Sequence, residues 1–208
     1  MNALILVDLQ NDFVDGGALA VPGGLEVIPL ANDLQPHFDM VVATQDWHPP
    51  GHQSFAANHP GKNVFDAIDL HGLHQVLWPV HCVQDTKGAD FVPGLDRTRW
   101  AAVFQKGTDE TVDSYSGFFD NGRRRATGMG EYLKERGVTD VHVLGLATDY
   151  CVKFTALDAA ALGFRTTLIE DASRGVDLQP GDIARAVEEM RHAGIKIITS
   201  ADLITHHA

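Results

Sequence analysis

The alternation of short apolar, β-branched runs with helix-period segments constrains this chain most. A strand covered on both faces reads as a continuous apolar run, and its connection to a parallel neighbour usually needs a helix. Such runs stand at Asn2–Val7, Asp39–Thr44, Ala101–Gln105, Val141–Leu146, Arg165–Glu170 and Lys196–Thr199. Helical patterns fall at Gly24–His37, Ala126–Arg136, Tyr150–Leu162 and Gly181–Ala193, each closing near a glycine or a turn residue. The expected fold class is α/β: a doubly wound, mainly parallel six-stranded sheet with helices on both faces. The span from Trp47 to Arg99 does not fit this alternation, being rich in His, Pro, Gly and Asn, and so long an irregular excursion is usually functional. With no internal repeat, low-complexity tract or linker to divide its 208 residues, the chain is expected to form a single domain over 1–208, with an inserted loop around 47–99.

A net charge of −12 excludes nucleic acid and anionic membrane surfaces as expected partners, since a phosphate-binding face needs clustered Lys and Arg. The one basic cluster, Arg123 to Arg125, follows Asn121-Gly122 and reads as a solvated turn. The apolar run Ala3 to Val7 meets Asp8 at once, so neither a secretory leader nor a membrane span is expected. Two cysteines make no disulfide framework, and a reducing cytoplasm is the expected compartment.

In open α/β sheets, ligands bind outside the carboxyl ends of the strands where strand order reverses. The polar residues just past successive strand ends are Asp8, then Asp46 and His48, then Lys106, then Cys151. Packing could account for any one of them, but not for all of them falling at equivalent positions. Cys151 stands where an apolar run gives way to a helix, so unpaired N–H groups there are expected to favour a thiolate and to stabilise an adjacent oxyanion. Asp8 is a candidate base for that thiol, and Lys106 a cation that would hold the carboxylate and offset the charge of a thiolate. Asp12 is assigned to bracing the turn after the first strand.

Asp46, His48 and His52 fall within seven residues, and His81 follows Trp78-Pro-Val. This oxygen and nitrogen set suits a borderline divalent ion, zinc first, with iron or manganese as the other choices. Pro49, Pro50 and Gly51 restrict the loop enough to turn both rings inward. His37, His59, His71, His74, His142 and His192 are read as bystanders, Cys82 as buried packing in an extended segment, and His206 and His207 as part of a frayed tail.

These segments carry a likeness: Val7-Asp8-Leu-Gln-Asn-Asp-Phe13, Thr44-Gln-Asp46-Trp-His48-Pro-Pro-Gly-His52-Gln-Ser-Phe55, Trp78-Pro-Val-His81-Cys82, Lys106-Gly107 with Asp113-Ser-Tyr115-Ser-Gly-Phe118, and Gly145-Leu-Ala147-Thr-Asp-Tyr-Cys151-Val. Over essentially its full length the chain resembles the nicotinamidase/pyrazinamidase enzymes of the isochorismatase-like hydrolase superfamily. The resemblance implies Asp8 as base, Lys106 as its support, Cys151 as nucleophile, and Asp46, His48, His52 and His81 as ligands of one divalent metal ion. It further implies that Phe13, Trp78 and Tyr115 line a pyridine ring, that the peptide entering Ala147 is cis, and that the N–H groups of Ala147 and Cys151 form an oxyanion hole. The implied activity is hydrolysis of nicotinamide, and of pyrazinamide, to the acid and ammonia through a cysteine thioester, as part of NAD salvage. A small homo-oligomer is expected by family analogy. A vinyl-ether hydrolase on the same scaffold would need neither the thiol nor the metal set, and a carbamoyl amidohydrolase should carry cationic substrate ligands in their place. A non-enzymatic binding module leaves Asp8, Lys106 and Cys151 unexplained.

Overall fold

The computed structural model describes residues 1–205, so the reading of His206 and His207 lies outside the described residues. In chain order the strands are β1 (Asn2–Val7), β2 (Met40–Asp46), β3 (Ala67–Leu70), β4 (Leu73–Val76), β5 (Trp100–Lys106), β6 (Asp140–Leu146), β7 (Arg165–Arg174) and β8 (Lys196–Ile198). The helices are α1 (Val27–Leu34), α2 (Met129–Glu135), α3 (Lys153–Ala161), α4 (Asp182–His192) and α5 (Ser200–Thr205). Six strands form one sheet in the order β5-β2-β1-β6-β7-β8, and every pair in it is parallel. The chain builds outward from β1 to β2 and β5, then returns to β6 on the other side of β1. The strand order therefore reverses between β1 and β6, which run in register from Asn2↔Asp140 to Val7↔Gly145.

Alternation along β1 sends Leu4 and Leu6 to one face and Ala3, Ile5 and Val7 to the other. On the first face they meet Val27, Ile28, Ala31 and Leu34 of α1 and Leu203 of α5. On the second they meet Met129 and Leu133 of α2, Ala156 and Ala159 of α3, and Val187 and Met190 of α4. The expected doubly wound α/β class is thus the observed one.

The element boundaries differ in physically readable ways. The helix expected from Ala126 begins at Met129, after Gly128 at φ 91°. That expected from Tyr150 begins instead with a wide turn over Thr148–Val152, in which the Val152 N–H reaches back five residues to the Ala147 carbonyl. β7 runs on to Arg174 because, past a register shift, Ser173 and Arg174 resume pairing with Gly145 and Leu146. Within the 47–99 excursion lies an antiparallel hairpin, β3 with β4, that the mixed polarity of residues 67–76 concealed.

Candidate active site

The reversal of strand order puts the ends of β1 and β6 side by side, and β2 and β5 deliver their own termini to the same rim. Asp46 and Lys106 are register partners at the ends of β2 and β5. The Lys106 ammonium, 2% exposed, contacts four groups: Asp8 Oδ2 at 2.8 Å, Asp46 Oδ1 at 2.5 Å, the Ser114 carbonyl at 3.0 Å and Cys151 Sγ at 3.3 Å. The structure thus joins Asp8, Lys106 and Cys151. It also joins Lys106 to Asp46, a pairing absent from the sequence-based expectation.

Burial raises Asp8, and Asp46 adds to this, against the opposing pull of Lys106 and of a 2.6 Å hydrogen bond that the Thr44 hydroxyl donates to Asp8 Oδ1. Burial would raise Asp46 too, but Lys106 and then His48 hold it well below the usual carboxylate range. Burial acts to lower Lys106, and the Asp46 and Asp8 carboxylates more than reverse this, keeping it charged.

At Cys151 burial works against the thiolate that the turn's N–H groups were expected to favour. Burial pushes its thiol well above the ordinary value, and although Lys106 opposes this, Asp8 and Asp46 add to it. Burial thus favours the protonated sulfur, and Lys106 at 3.3 Å is the group that opposes it. Desolvation in a site already holding two carboxylates outweighs the opposing pull of Lys106. A buried thiol whose sulfur lies within 4.8 Å of a carboxylate oxygen of Asp8 requires a base at the moment of attack, and Asp8 stands where one is needed.

The peptide between Leu146 and Ala147 is cis. Among the described residues, the Ala147 N–H donates to no backbone or side-chain acceptor. Phe13, Trp78 and Tyr115 line a small cavity of about 30 Å³ together with Ala147, Tyr150 and Cys151. The Trp78 indole N–H and the Gln75 amide both donate to the Tyr115 hydroxyl, at 3.2 and 3.1 Å, which fixes the aromatic wall.

Asp46, His48 and His81 bring donor atoms within 4.8 Å of one another, and His48, His52 and Asp113 do the same. The rings of His48 and His52 are 4.3 Å apart, and those of His48 and His81 4.9 Å. Each imidazole is anchored through Nδ1: His48 to the Gly107 carbonyl at 2.9 Å, His52 to Ser54 Oγ at 2.7 Å and His81 to the Pro79 carbonyl at 2.7 Å. Nε2 is then the free donor, and in His48 and His52 it is buried without any hydrogen-bond partner. A buried imidazole nitrogen left unpaired beside a carboxylate is what a metal ion completes, so the residues present fit a divalent ion. Burial lowers His52 to about 4, leaving it neutral and able to donate a lone pair.

Other sequence readings fared unequally. Asp12 does brace the turn, accepting from the Ala18 N–H at 3.2 Å, and it also ties down the distant Cys82 N–H at 2.7 Å. Cys82 is buried as expected, but not because its segment is extended: it sits at φ 45° and stays outside the donor groups. His59 turns away to the Gln53 carbonyl at 2.7 Å. Residues missed from sequence include Thr44, which binds Asp8, and Gln10, whose side-chain amide clamps both the N–H and the carbonyl of Asp46 at 2.8 Å. Their position inside the quoted motifs was the only signal. Leu19, Val21 and Val176, which also line the cavity, carried none.

Comparison with known proteins agrees with this geometry. The chain matches the isochorismatase domain over residues 2–202. A nicotinamidase of Escherichia coli (strain K12) is 50% identical over 204 residues, covering 96% of this chain and 95% of its own. Among solved structures, a nicotinamidase/pyrazinamidase of Acinetobacter baumanii is similar with a TM-score of 0.95 and 48% identity over 97% of each chain. A pyrazinamidase of Pyrococcus horikoshii in complex with zinc is similar with a TM-score of 0.79 and 40% identity, over 95% of this chain and 98% of that one. A family match of this extent, on the fold and strand-end cluster just described, makes the chain a member of the isochorismatase family.

Proposed function

We propose that the chain is a nicotinamidase, which hydrolyses nicotinamide, and also pyrazinamide, to the carboxylic acid and ammonia in NAD salvage. The observation that carries this reading is the cluster of Asp8, Lys106 and a buried Cys151 thiol beside an aromatic cavity, with Lys106 bridging to Asp46 of the donor set. The relatives named nicotinamidase support the same substrate.

In the first half of the reaction, Asp8 takes the thiol proton as Cys151 Sγ attacks the amide carbon, and the N–H groups of Ala147 and Cys151 receive the developing oxyanion. Lys106 keeps Asp8 oriented and offsets the negative charge passing through the site. Protonated Asp8 then gives its proton to the departing amine, so that ammonia leaves and a thioester remains. In the second half Asp8 deprotonates a water molecule, whose oxygen attacks the thioester. The acid is released and the proton returns to sulfur. Phe13, Trp78 and Tyr115 hold the ring and exclude bulk water.

Asp46, His48, His52 and His81 would hold one divalent ion, and zinc is the favoured choice because the Pyrococcus horikoshii pyrazinamidase was solved with it. When bound, the ion supplies a Lewis-acidic partner for the ring nitrogen. A reducing cytoplasm suits a chain whose two described cysteines are both free thiols.

The test is substrate discrimination in an ammonia-release assay. Nicotinamide and pyrazinamide both carry a nitrogen meta to the amide and should be turned over. Isonicotinamide and benzamide should be poor, because a misplaced carbonyl loses about 10² in rate per ångström of displacement. A kcat/KM ratio of nicotinamide over benzamide near one would remove the ring nitrogen from recognition, and absence of ammonia from all four would end the reading altogether.

A further inference from the structure

Asp113 stands in the loop between β5 and α2, in a stretch that meets the site at three successive residues. The Ser114 carbonyl accepts from Lys106, Tyr115 lines the cavity, and Asp113 itself faces His48 and His52. The Asp113 side chain is 4% exposed. Its Oδ1 accepts from the Ser114 N–H at 2.8 Å and its Oδ2 from the Gln75 amide at 3.0 Å, both neutral donors. Among the described residues no Lys, Arg or His lies within ion-pairing distance of it. A buried carboxylate with only neutral partners is costly, and the same side chain has lone pairs left over on both oxygens.

The nearest groups to share those lone pairs are His48 and His52, whose donor atoms lie within 4.8 Å of it. These are also the imidazoles whose buried Nε2 atoms make no hydrogen bond, although Asp46 Oδ2 lies 3.5 Å from that of His48. Three incompletely paired groups therefore face one another: a carboxylate with no cation in ion-pairing distance and two ring nitrogens without a hydrogen bond. One divalent cation bound at His48, which this group shares with Asp46 and His81, would serve all three. Asp46, by contrast, already has its Oδ1 committed to Lys106, so part of its charge is offset from the other side.

We propose that Asp113 is the second carboxylate of the cation site, supplying the negative charge that Asp46 shares with Lys106. The inference rests on reading Asp46, His48, His52 and His81 as the ligands of a divalent ion, and it adds a residue outside that set. Asp113 is also the joint between ion and substrate wall: Gln75, which donates to Asp113, donates as well to Tyr115.

The experiment uses the full chain, stripped of metal by chelation and titrated with Zn²⁺ against a chromophoric competitor. Asp113→Asn, which keeps the shape and removes the charge, should weaken Zn²⁺ binding on the order of 10- to 100-fold. Asp113→Glu, which keeps the charge, should recover most of it. The metal-free Asn variant should melt no lower than the metal-free parent, because an unpaired buried charge has been removed, while its gain in Tm on adding Zn²⁺ should shrink. A purely structural carboxylate would instead lower both melting points together. If Asp113→Asn does not fold, Asp113→Ser gives the same reading. A neutral variant that folds and binds Zn²⁺ within twofold of the parent overturns the proposal for Asp113 while leaving the ligand set intact. A parent that binds no Zn²⁺ overturns both.

Discussion

At the residue scale, the site is governed by desolvation acting on neighbouring groups of opposite tendency. Burial raises both Cys151 and Asp8, so Asp8 is a stronger base than an exposed carboxylate while the thiol holds its proton more tightly. Cys151→Ala should cut ammonia release by on the order of 10⁴-fold or more without changing the circular dichroism spectrum. Near-normal turnover would exclude covalent catalysis by this residue. Asp8 works as a base only when deprotonated, so activity is present above its pKa and disappears as the pH falls through it. Because that pKa is raised, the acid limb of kcat/KM should lie above the usual carboxylate range. Thr44→Val deletes a hydrogen bond that lowers Asp8 and should move the limb to still higher pH. An unmoved limb would assign it to another group. The identities of Asp8, Lys106 and Cys151 were legible from their places after apolar runs. Thr44 and Gln10 were not, because a hydroxyl or amide acquires its role only from the partner that folding brings to it.

At the element scale, the approach of β1 to β6 sets the geometry. Gly145 pairs with Val7 at φ 129°, and a Cβ built there would lie 2.2 Å from the Val7 carbonyl oxygen. Gly145→Ala should therefore cost roughly 2 to 5 kcal/mol and lower Tm by about 5 to 15 °C. It should also reduce kcat, since the two strand ends carry Asp8 and Cys151. A melting curve matching the parent's would show that the strands can shift apart without penalty. Gly107 bears on the other half of the site. It sits at φ 64° with its Cβ position 2.3 Å from His48, and it also provides the carbonyl that holds the His48 ring. Both constraints are invisible in sequence, where a glycine near a strand end reads only as a break.

At the scale of the whole molecule, the candidate metal set ties the 47–99 excursion to the sheet. Asp46 ends β2, His48 and His52 open the excursion, and His81 lies beyond its hairpin. Chelation should therefore lower Tm and raise hydrogen exchange across residues 47–99, while β1 and β6 stay protected. An ion at a hundred times its Kd contributes about 2.7 kcal/mol, so unchanged melting and exchange after metal removal would exclude a structural link. The parallel α/β class, the strand positions and the residues at each strand end followed from sequence alone, because apolar periodicity and the rule for strand-end sites are local properties of the chain. The hairpin escaped because its residues alternate too weakly to mark a buried face. Tertiary structure alone decided that Lys106 bridges two carboxylates, that burial pushes the Cys151 thiol up and that Asp113 faces His48 and His52. Each of these depends on charges and burial contributed by segments far apart in sequence, and electrostatic environment is a property of the assembled site rather than of any one residue in it.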